Sequence, residues 1–372
     1  MPSCRPRNSL RPALVGAALL AISASAAAQP AVAPSAQAAT PRIRLVATGG
    51  TISNRVGGRL TAEELVKSMP GIERYATAEF EQFSNLASSE LTLDQWLALA
   101  RRINELFATD RSLEGIVVTS GTDTLEELAY FLNLTIRTDK PVVVVGSMRN
   151  PSTLGYEGAA NLLEAFRVAA SPQARGKGVL VVLNDEINAA RAVTKTDALR
   201  LQTFQSRTVG VLGVVDSDRV VFYRSGVKRH TSDSEFDLSS VSKLPRVDVV
   251  LVYQGADGDV IRAAVDNGAR GIVLATAGAG ATSGTQLEGI MYALKQGVFV
   301  VITTRTGSGR IAPFRGGGRG GPAGSDNPMS EEERRRRIAG EDLSPVKARV
   351  LLMVALTRTS DPGEIQRMFS EY

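Results

Sequence analysis

Short apolar runs rich in β-branched residues recur along the chain and alternate with amphipathic stretches of helical periodicity. The runs cover residues 43–46, 115–119, 141–145, 178–183, 247–252, 271–275 and 298–303. Continuous apolar strands that alternate with helices are typical of a parallel sheet covered on both faces. The pattern therefore predicts an α/β fold with a doubly wound parallel sheet.

Capping residues mark where several of the helices should begin. Thr61 with Glu64 and Thr92 with Gln95 have the spacing of a capping box, and Asp361 followed by Pro362 marks the start of the last helix. The alternating residues 209–223, interrupted by a polar turn, predict a β-hairpin that extends the sheet with antiparallel strands.

The polar stretch 225–242 carries no apolar periodicity and precedes a new βαβ series. We therefore expect a larger N-terminal domain, with a mostly parallel sheet and the hairpin extension, and a smaller C-terminal domain of three parallel strands and three or four helices. The glycine-rich run 316–324 predicts an exposed loop. The predicted organisation is a signal peptide at 1–28, a disordered leader at 29–41, an N-terminal domain at 42–225, a linker at 226–245 and a C-terminal domain at 246–372.

The N-terminus has the three parts of a secretory signal peptide. Arginines at positions 5, 7 and 11 precede an apolar stretch at 12–22 and an alanine-rich run that ends at Ala28. The apolar stretch is shorter than the ~20 residues that a membrane span needs. Cleavage near Ala28 predicts a periplasmic or secreted protein that has no membrane association after cleavage.

Removal of that segment lowers the formal charge of +5 by the three arginines, so the high pI does not indicate a nucleic-acid partner. The acidic and basic run 331–337 fits i,i+4 pairing on a solvated helix better than a binding patch.

The use of cysteine and histidine excludes several catalytic classes. Cys4 is the single cysteine and lies in the predicted signal, and His230 is the single histidine. A Cys–His dyad and a zinc site built on several His or Cys residues are therefore excluded in the mature chain. A Ser–His–Asp triad would have to use His230, which follows two basic residues in a polar stretch.

The first candidate site follows the first strand, where residues 47–53 read Ala-Thr-Gly-Gly-Thr-Ile-Ser. Ligands of open α/β sheets bind at the carboxyl ends of the strands. Two glycines permit a sharp turn that exposes the hydroxyl of Thr51 beside backbone N–H groups, which suits a nucleophile. A tight βα turn or a phosphate loop would give the same local sequence.

Two further polar segments follow later strands. Thr122 and Asp123 bring a hydroxyl and a carboxylate to a helix N-terminus, where either residue could simply cap the helix. Lys195 could act as the proton shuttle that histidine provides elsewhere, although a solvated surface lysine is the usual role of a lone lysine.

Taken with residues 85–90, 228–233 and 347–352, these segments resemble bacterial L-asparaginases of the exported type II kind, including the glutaminase-asparaginases. The resemblance covers residues 43–372. It implies that Thr51 is the nucleophile that forms an acyl-enzyme, that Thr122, Asp123 and Lys195 assist proton transfer, and that no metal or cofactor takes part. It also implies that Ser88 binds the substrate α-carboxylate, that Asp123 holds the α-amino group, and that Ser89 stands where the family often has Gln or Glu.

The chain departs from the family pattern at several positions. The family's tyrosine after the nucleophile is missing between Ile52 and Thr61, where Arg55 and Arg59 stand instead. Small residues replace asparagines at 277–283, no glutamate follows closely after residue 310, and Ser120 replaces a histidine. The glycines at 278–284 resemble a dinucleotide fingerprint, but the last spacing is one residue too long, so we expect no nucleotide cofactor.

The expected function is hydrolysis of L-asparagine to L-aspartate and ammonia. Two alternatives are a glutaminase-asparaginase that favours glutamine and a non-catalytic periplasmic amino-acid-binding protein. A subunit of a tRNA-dependent amidotransferase would conflict with the signal peptide. The resemblance further implies a homo-oligomer, a dimer of dimers, with active sites between subunits, and a small-molecule substrate as the principal partner.

Overall fold

A computed structural model describes residues 40–313 and 329–372. The predicted signal peptide at 1–28, the predicted leader up to residue 39 and the glycine-rich run at 316–324 lie outside the described residues. Within the described ranges, no helix is long and apolar enough to cross a membrane.

Strands and helices alternate along the described chain. The strands are β1 (Arg42–Gly49), β2 (Asn54–Arg55), β3 (Gly58–Arg59), β4 (Thr77–Leu86), β5 (Leu113–Thr119), β6 (Val142–Val145), β7 (Val179–Leu183), β8 (Glu186–Ala189), β9 (Thr194–Lys195), β10 (Phe204–Gln205), β11 (Gly213–Val215), β12 (Val220–Phe222), β13 (Val247–Leu251), β14 (Gly271–Thr276), β15 (Phe299–Thr304) and β16 (Arg337–Ala339). The α-helices are α1 (Ala62–Lys67), α2 (Leu93–Thr109), α3 (Leu125–Thr135), α4 (Gly158–Ala169), α5 (Asp259–Asp266), α6 (Gln286–Lys295), α7 (Glu331–Arg335), α8 (Pro345–Ala355) and α9 (Pro362–Glu371).

The large sheet has the strand order β12-β11-β8-β7-β6-β5-β1-β4. The five neighbouring strands β7, β6, β5, β1 and β4 pair in parallel. At the opposite end of the sheet, β8, β11 and β12 pair antiparallel. The predicted mostly parallel sheet and its hairpin extension are therefore confirmed. Every residue of β6 and β7 is buried, as the continuous apolar runs predicted.

The sequence pattern missed β4, which pairs in parallel with β1 at the edge of the large sheet. Its sequence, TAEFEQFSNL, mixes charged and apolar residues, because an edge strand has one exposed flank and carries groups that discourage pairing with other chains. Glu79 pairs with Arg42 and Arg44 on β1, and Glu81 pairs with Arg102 on α2. These ion pairs replace the apolar pattern that would have predicted the strand.

The small sheet has the order β13-β14-β15-β16, and all of its described pairs are parallel. Ile272 and Leu274 pack with α5 and α6, while Val273 packs on the opposite face with α8, so both faces are covered. The parallel sheet is confirmed, but the expected three strands and three or four helices are too few. The described part of this domain holds four strands and five helices, since β16 is a three-residue strand without an apolar run.

Helix ends agree with their capping signals. Thr61 and Thr92 each form a complete capping box, and Asp361 accepts a hydrogen bond from the backbone of Glu364. The charged run at 331–337 is helical only as far as Arg335, because Arg337 already belongs to β16.

The polar stretch at 226–245, expected as a linker, packs against helices of both sheets. Phe236, Leu238 and Leu244 are buried in the same cluster as residues of α3 and α8. Glu235 pairs with the guanidinium groups of Arg229, Arg358 and Arg367. One apolar core consequently runs from α2 and α3 of the large sheet into α8 of the small sheet.

Candidate active site

Hydrogen bonds between threonine or serine hydroxyls and backbone groups connect the carboxyl ends of β1, β4 and β5. The Thr48 hydroxyl donates to the Thr119 carbonyl over 2.6 Å, and the Thr119 hydroxyl accepts from the Thr48 N–H over 3.1 Å. The Ser84 hydroxyl donates to the Thr48 carbonyl over 2.7 Å. The turns that follow these strands are therefore held at one edge of the sheet.

The turn after β1 depends on two glycines with positive φ. Gly49 has a φ of 110° and Gly50 a φ of 88°. A Cβ on Gly50 would lie 2.2 Å from the backbone nitrogen of Gly121, so the first turn lies directly against the turn after β5. The Gly50 N–H donates to the Leu86 carbonyl over 2.8 Å and is therefore occupied.

Thr51 follows this turn at the start of a short 3-10 segment that ends at Ser53. Its side chain is half-buried and forms no hydrogen bond with any other described residue. The neighbouring Ser53 hydroxyl, by contrast, is buried and donates to the Gly50 carbonyl. Thr51 thus presents the free hydroxyl of this turn.

Thr122 and Asp123 lie between β5 and α3, but neither caps the helix. Thr124 is the N-cap residue, and no side chain caps this end. The backbone N–H of Thr124 instead donates to the Ser88 hydroxyl over 3.3 Å, and a Cβ on Gly121 would lie 2.8 Å from that hydroxyl oxygen. Ser88 is buried, and these two contacts place it in the same cluster of turns.

Lys195 lies on β9 and reaches across to both polar residues of the second turn. Its Nζ donates to Thr122 Oγ1 over 3.0 Å and to Asp123 Oδ1 over 2.7 Å. The Lys195 side chain is 15% exposed, whereas that of Asp123 is 73% exposed. Lys195 is therefore not a solvated surface lysine, and Asp123 keeps a carboxylate face open to a ligand.

Two residues behind Lys195 were given no role by the sequence analysis. The Glu126 carboxylate accepts from the Thr194 hydroxyl over 2.9 Å and from the Lys195 N–H over 3.3 Å. Lys347 on α8 is 2% exposed, and burial lowers its pKa to about 8. Its Nζ lies 3.8 Å from Glu126. In the sequence, Lys347 appears only in the segment 347–352 of the family resemblance and as one of two basic residues in an otherwise apolar helix.

The remaining predicted residues lie at the margin of the cluster. Ser89 is exposed, and its side chain makes no hydrogen bond with another described residue. Arg55 turns to Glu64 on α1 at 3.0 Å. The Tyr156 hydroxyl, which the sequence analysis did not single out, donates to the Ile52 carbonyl over 2.8 Å, and burial raises its pKa. A tyrosine therefore lies beside the Thr51 turn, but it comes from the loop after β6.

His230 lies away from this cluster. A Cβ on Gly178, immediately before β7, would lie 3.1 Å from the His230 ring, so the histidine packs at the amino end of the sheet. Across the described ranges, no group of three or more His, Cys, Asp or Glu residues could hold a metal ion.

In the small sheet, the turn after β14 contains glycine and alanine in place of ionisable groups. The Thr276 hydroxyl lies 2.9 Å from the Gly278 carbonyl and 3.2 Å from the Gly280 nitrogen, so this turn is closed on itself. Arg310 pairs with Glu341, a buried glutamate that the fold brings close from 31 residues away.

The fold and the site together define a protein of the α/β class with two sheets, in which the turn that carries a free threonine hydroxyl lies against the turn of a lysine, threonine and aspartate cluster. Two family models match the chain: "Asparaginase, N-terminal" over residues 42–228 and "Glutaminase/Asparaginase C-terminal domain" over residues 246–369. The chain belongs to the asparaginase family.

Named relatives and a solved structure agree with this assignment. The chain is 42% identical to "L-asparaginase 2" of Bacillus subtilis, over 89% of this chain and 87% of that protein. It is 37% identical to "Glutaminase-asparaginase" of Pseudomonas fluorescens, over 88% and 90% respectively. The crystal structure of a probable cytoplasmic L-asparaginase from Campylobacter jejuni superposes with a TM-score of 0.81 at 39% identity, covering 90% of this chain and all of that one.

Proposed function

We propose that the protein hydrolyses the side-chain amide of L-asparagine to L-aspartate and ammonia, with Thr51 as the nucleophile. Membership of the asparaginase family supports amide hydrolysis, and a threonine nucleophile is a general property of that family. The observation that carries the assignment of residues is the contact between the Gly50 and Gly121 turns. It sets the free hydroxyl of Thr51 beside the turn whose Thr122 and Asp123 hold Lys195.

The proposed reaction balances without a metal ion. The Thr51 oxygen attacks the amide carbon, the C–N bond breaks, and the proton that leaves the hydroxyl leaves with the nitrogen as ammonia. Thr122 and Lys195 would relay that proton, since their hydroxyl and ammonium are already hydrogen-bonded. Water then cleaves the ester and returns a proton to Thr51, which releases aspartate.

Polar groups around the site suit the α-amino and α-carboxylate groups of an amino acid. The open face of Asp123 suits the α-amino group, because the carboxylate is largely exposed. Ser88 lies at the N-terminus of α3, where backbone N–H groups favour an anion such as the α-carboxylate. Ser89 is exposed beside it and would contact the same end of the substrate.

The direct test is ammonia release from asparagine by the purified mature protein. Thr51→Ala should lower kcat by at least about 10³-fold, since loss of a nucleophile leaves only binding and polar stabilisation. Thr109→Ala, at the exposed end of α2, is the matched control and should keep normal activity. Near-normal turnover by the Thr51 variant would refute its role as the nucleophile.

Glutamine is the second candidate substrate, because the segment 277–283 carries small residues in place of asparagines. The relative kcat/KM for asparagine and glutamine, measured in the same ammonia assay, separates the two. A non-catalytic amino-acid-binding protein is the less supported alternative. Calorimetry that detected tight binding of asparagine without any ammonia would favour it.

We further propose that the chain is exported, cleaved near Ala28, and assembled as a dimer of dimers in the periplasm or medium. The arrangement of basic, apolar and small residues at the N-terminus supports export. N-terminal sequencing of the protein from a periplasmic fraction and light scattering of the purified protein test the two statements separately.

A further inference from the structure

A buried ammonium group lies behind the lysine of the candidate site. Lys347 lies in the first turn of α8, and its Nζ donates to the Arg191 carbonyl over 3.1 Å and to the Val193 carbonyl. These two carbonyls belong to the segment that leads into β9. A helix that packs on the small sheet thus hydrogen-bonds, through Lys347, to the backbone of the segment that leads to Lys195.

Glu126 on α3 also forms hydrogen bonds with this segment. One carboxylate oxygen accepts hydrogen bonds from the Thr194 hydroxyl and the Lys195 N–H. The other oxygen forms no hydrogen bond with a described residue and lies 3.8 Å from Lys347 Nζ. The two opposite charges therefore face each other across the strand that presents Lys195.

Stability alone does not account for this pair. Removing two charges from water is costly, and well-packed apolar residues of similar size are often as stabilising as a buried ion pair. The pair does, however, hold backbone atoms at three of the five residues from Arg191 to Lys195, and the side-chain hydroxyl of a fourth, Thr194. A pair that restrains a short strand so closely suits a role in orientation.

We propose that Lys347 and Glu126 are positioning residues that hold the backbone of Lys195, so that its ammonium stays between Thr122 and Asp123. Both residues contact the segment that leads to Lys195 and not its ammonium, Thr122 or Asp123, so their proposed role is positioning and not catalysis. The geometric part of the proposal stands without any enzyme activity. Its kinetic consequence rests on the proposed amide hydrolysis.

The same two helices provide a matched control. Arg349, two residues after Lys347 on α8, pairs with Glu127 on α3 at 3.5 Å. Arg349 also donates to the Val247 carbonyl over 3.0 Å. This second pair links the same helices, but it makes no hydrogen bond to residues 191–195. Arg349→Met therefore removes an ion pair between α3 and α8 and leaves the Lys195 segment untouched.

The first experiment measures the position of Lys195 without any substrate. Competitive labelling with acetic anhydride, read by mass spectrometry, reports the reactivity of each lysine amine in the full mature protein. Lys347→Met should raise the labelling of Lys195 at least about threefold, because the amine leaves its fixed hydrogen bonds with Thr122 and Asp123. Arg349→Met should leave the labelling of Lys195 unchanged.

The second experiment measures turnover. Misplacement of a catalytic group by about 1 Å can cost about 100-fold, so Lys347→Met should lower kcat about 10- to 100-fold and change KM little. In a Lys195→Met background, Lys347→Met should cause no further loss, because there is no Lys195 amine left to misplace. Arg349→Met should leave kcat within about twofold in either background.

The outcomes separate the two proposals. If the wild type releases no ammonia from any amide, the proposed function fails, and the labelling result alone decides the positioning role. Equal changes in the Lys347 and Arg349 variants, or a further kcat loss in the Lys195→Met background, would overturn that role. If Lys347→Met does not fold, the double variant Lys347→Met with Glu126→Gln removes both charges, and the same labelling comparison decides.

Discussion

An inner strand of the large sheet and an inner strand of the small sheet end in the same way, yet only the large sheet carries the candidate site. The Thr48 hydroxyl on β1 donates to the Thr119 carbonyl of the neighbouring strand, and the Thr276 hydroxyl on β14 lies 2.5 Å from the Thr303 carbonyl of its neighbour. A glycine-rich turn follows each of these threonines. The two sheet edges are therefore alike in their threonine hydrogen bonds and in the turns that follow.

The side chains that follow differ. Gly49 and Gly50 lead to the free hydroxyl of Thr51, whereas the residues after Thr276 are glycine and alanine up to position 281. At the large sheet, Lys195 also reaches the site from β9, a strand of a separate two-stranded sheet. The parallel sheet thus supplies a place at its carboxyl edge, and a few polar residues decide whether that place can carry chemistry.

Among the variants that test this contrast, loss of Lys195 should lower kcat the most. Lys195→Met removes the ammonium that joins Thr122 to Asp123, so kcat should fall by about 10²- to 10⁴-fold, as for a lost general acid or base. Lys140→Met is a suitable control, because Lys140 donates to the Leu113 carbonyl at the opposite end of the sheet. Ammonia release from asparagine measures both. Equal losses would show that Lys195 has no special part in the reaction.

Alanine substitutions in the two glycine turns should have the next largest effect. In Gly50→Ala, the new Cβ would meet Gly121 backbone at 2.2 Å, which forces the two site turns apart. In Gly280→Ala, the nearest atom is Ile302 Cγ2 at 3.5 Å, an ordinary contact, so the cost is only the strain of a φ of 104°. We expect about 3 kcal/mol of destabilisation and a ~100-fold lower kcat for the first variant, and about 1–2 kcal/mol with a far smaller loss of kcat for the second.

Urea denaturation and ammonia release check this pair. Destabilisation by similar amounts, with similar kcat, would mean that the close approach of the Gly50 and Gly121 turns is unimportant for the site.

Removal of the threonine hydroxyls that fasten the strand ends should have a smaller effect. Thr48→Val and Thr276→Val each leave a buried carbonyl with one donor fewer, at a cost of about 1–2 kcal/mol. Thr276→Val also removes the acceptor of the Gly280 N–H, so thermal denaturation should show a loss in that variant at least as large as in Thr48→Val. Only Thr48→Val should also lower kcat noticeably, because only its turn leads to Thr51. A larger kcat loss in the Thr276 variant would reverse the assignment of the two sheet edges.

Much of this arrangement could be predicted from the sequence, because continuous apolar strands imply a parallel sheet and a parallel sheet implies where its polar ends meet. Thr122 and Asp123 follow the parallel strand β5, as that rule expects, and Lys195 does lie with them, although it reaches them from β9 of a separate two-stranded sheet. Their catalytic roles, and that of Thr51, remain predictions. The expected alternatives of a helix cap and a solvated lysine do not fit the observed contacts.

The rest depends on contacts between residues that are distant in the chain. Lys347 lies near Glu126 across 221 positions, and in the sequence it is one of two basic residues, with Arg349, in an otherwise apolar helix. Tyr156 reaches the Ile52 carbonyl from another loop, so its place beside the nucleophile turn carries no local signal. Strand β4 was missed because its ion pairs with neighbouring elements replace the apolar alternation.

The smallest catalytic effect should come from the single histidine. His230 packs on Gly178 at the amino end of β7, and burial lowers its pKa below the ordinary value of 6.5. As the pH falls through 6.5, the unfolded chain takes up a proton that the folded protein does not, so stability declines until the folded-state pKa is reached. His230→Gln should therefore leave kcat unchanged while reducing the fall in Tm between pH 7.5 and pH 5. A variant with low kcat and the wild-type dependence of Tm on pH would instead show that the histidine takes part in the reaction. The residues at the edge of the large sheet that carries Thr51 would then not be sufficient for catalysis.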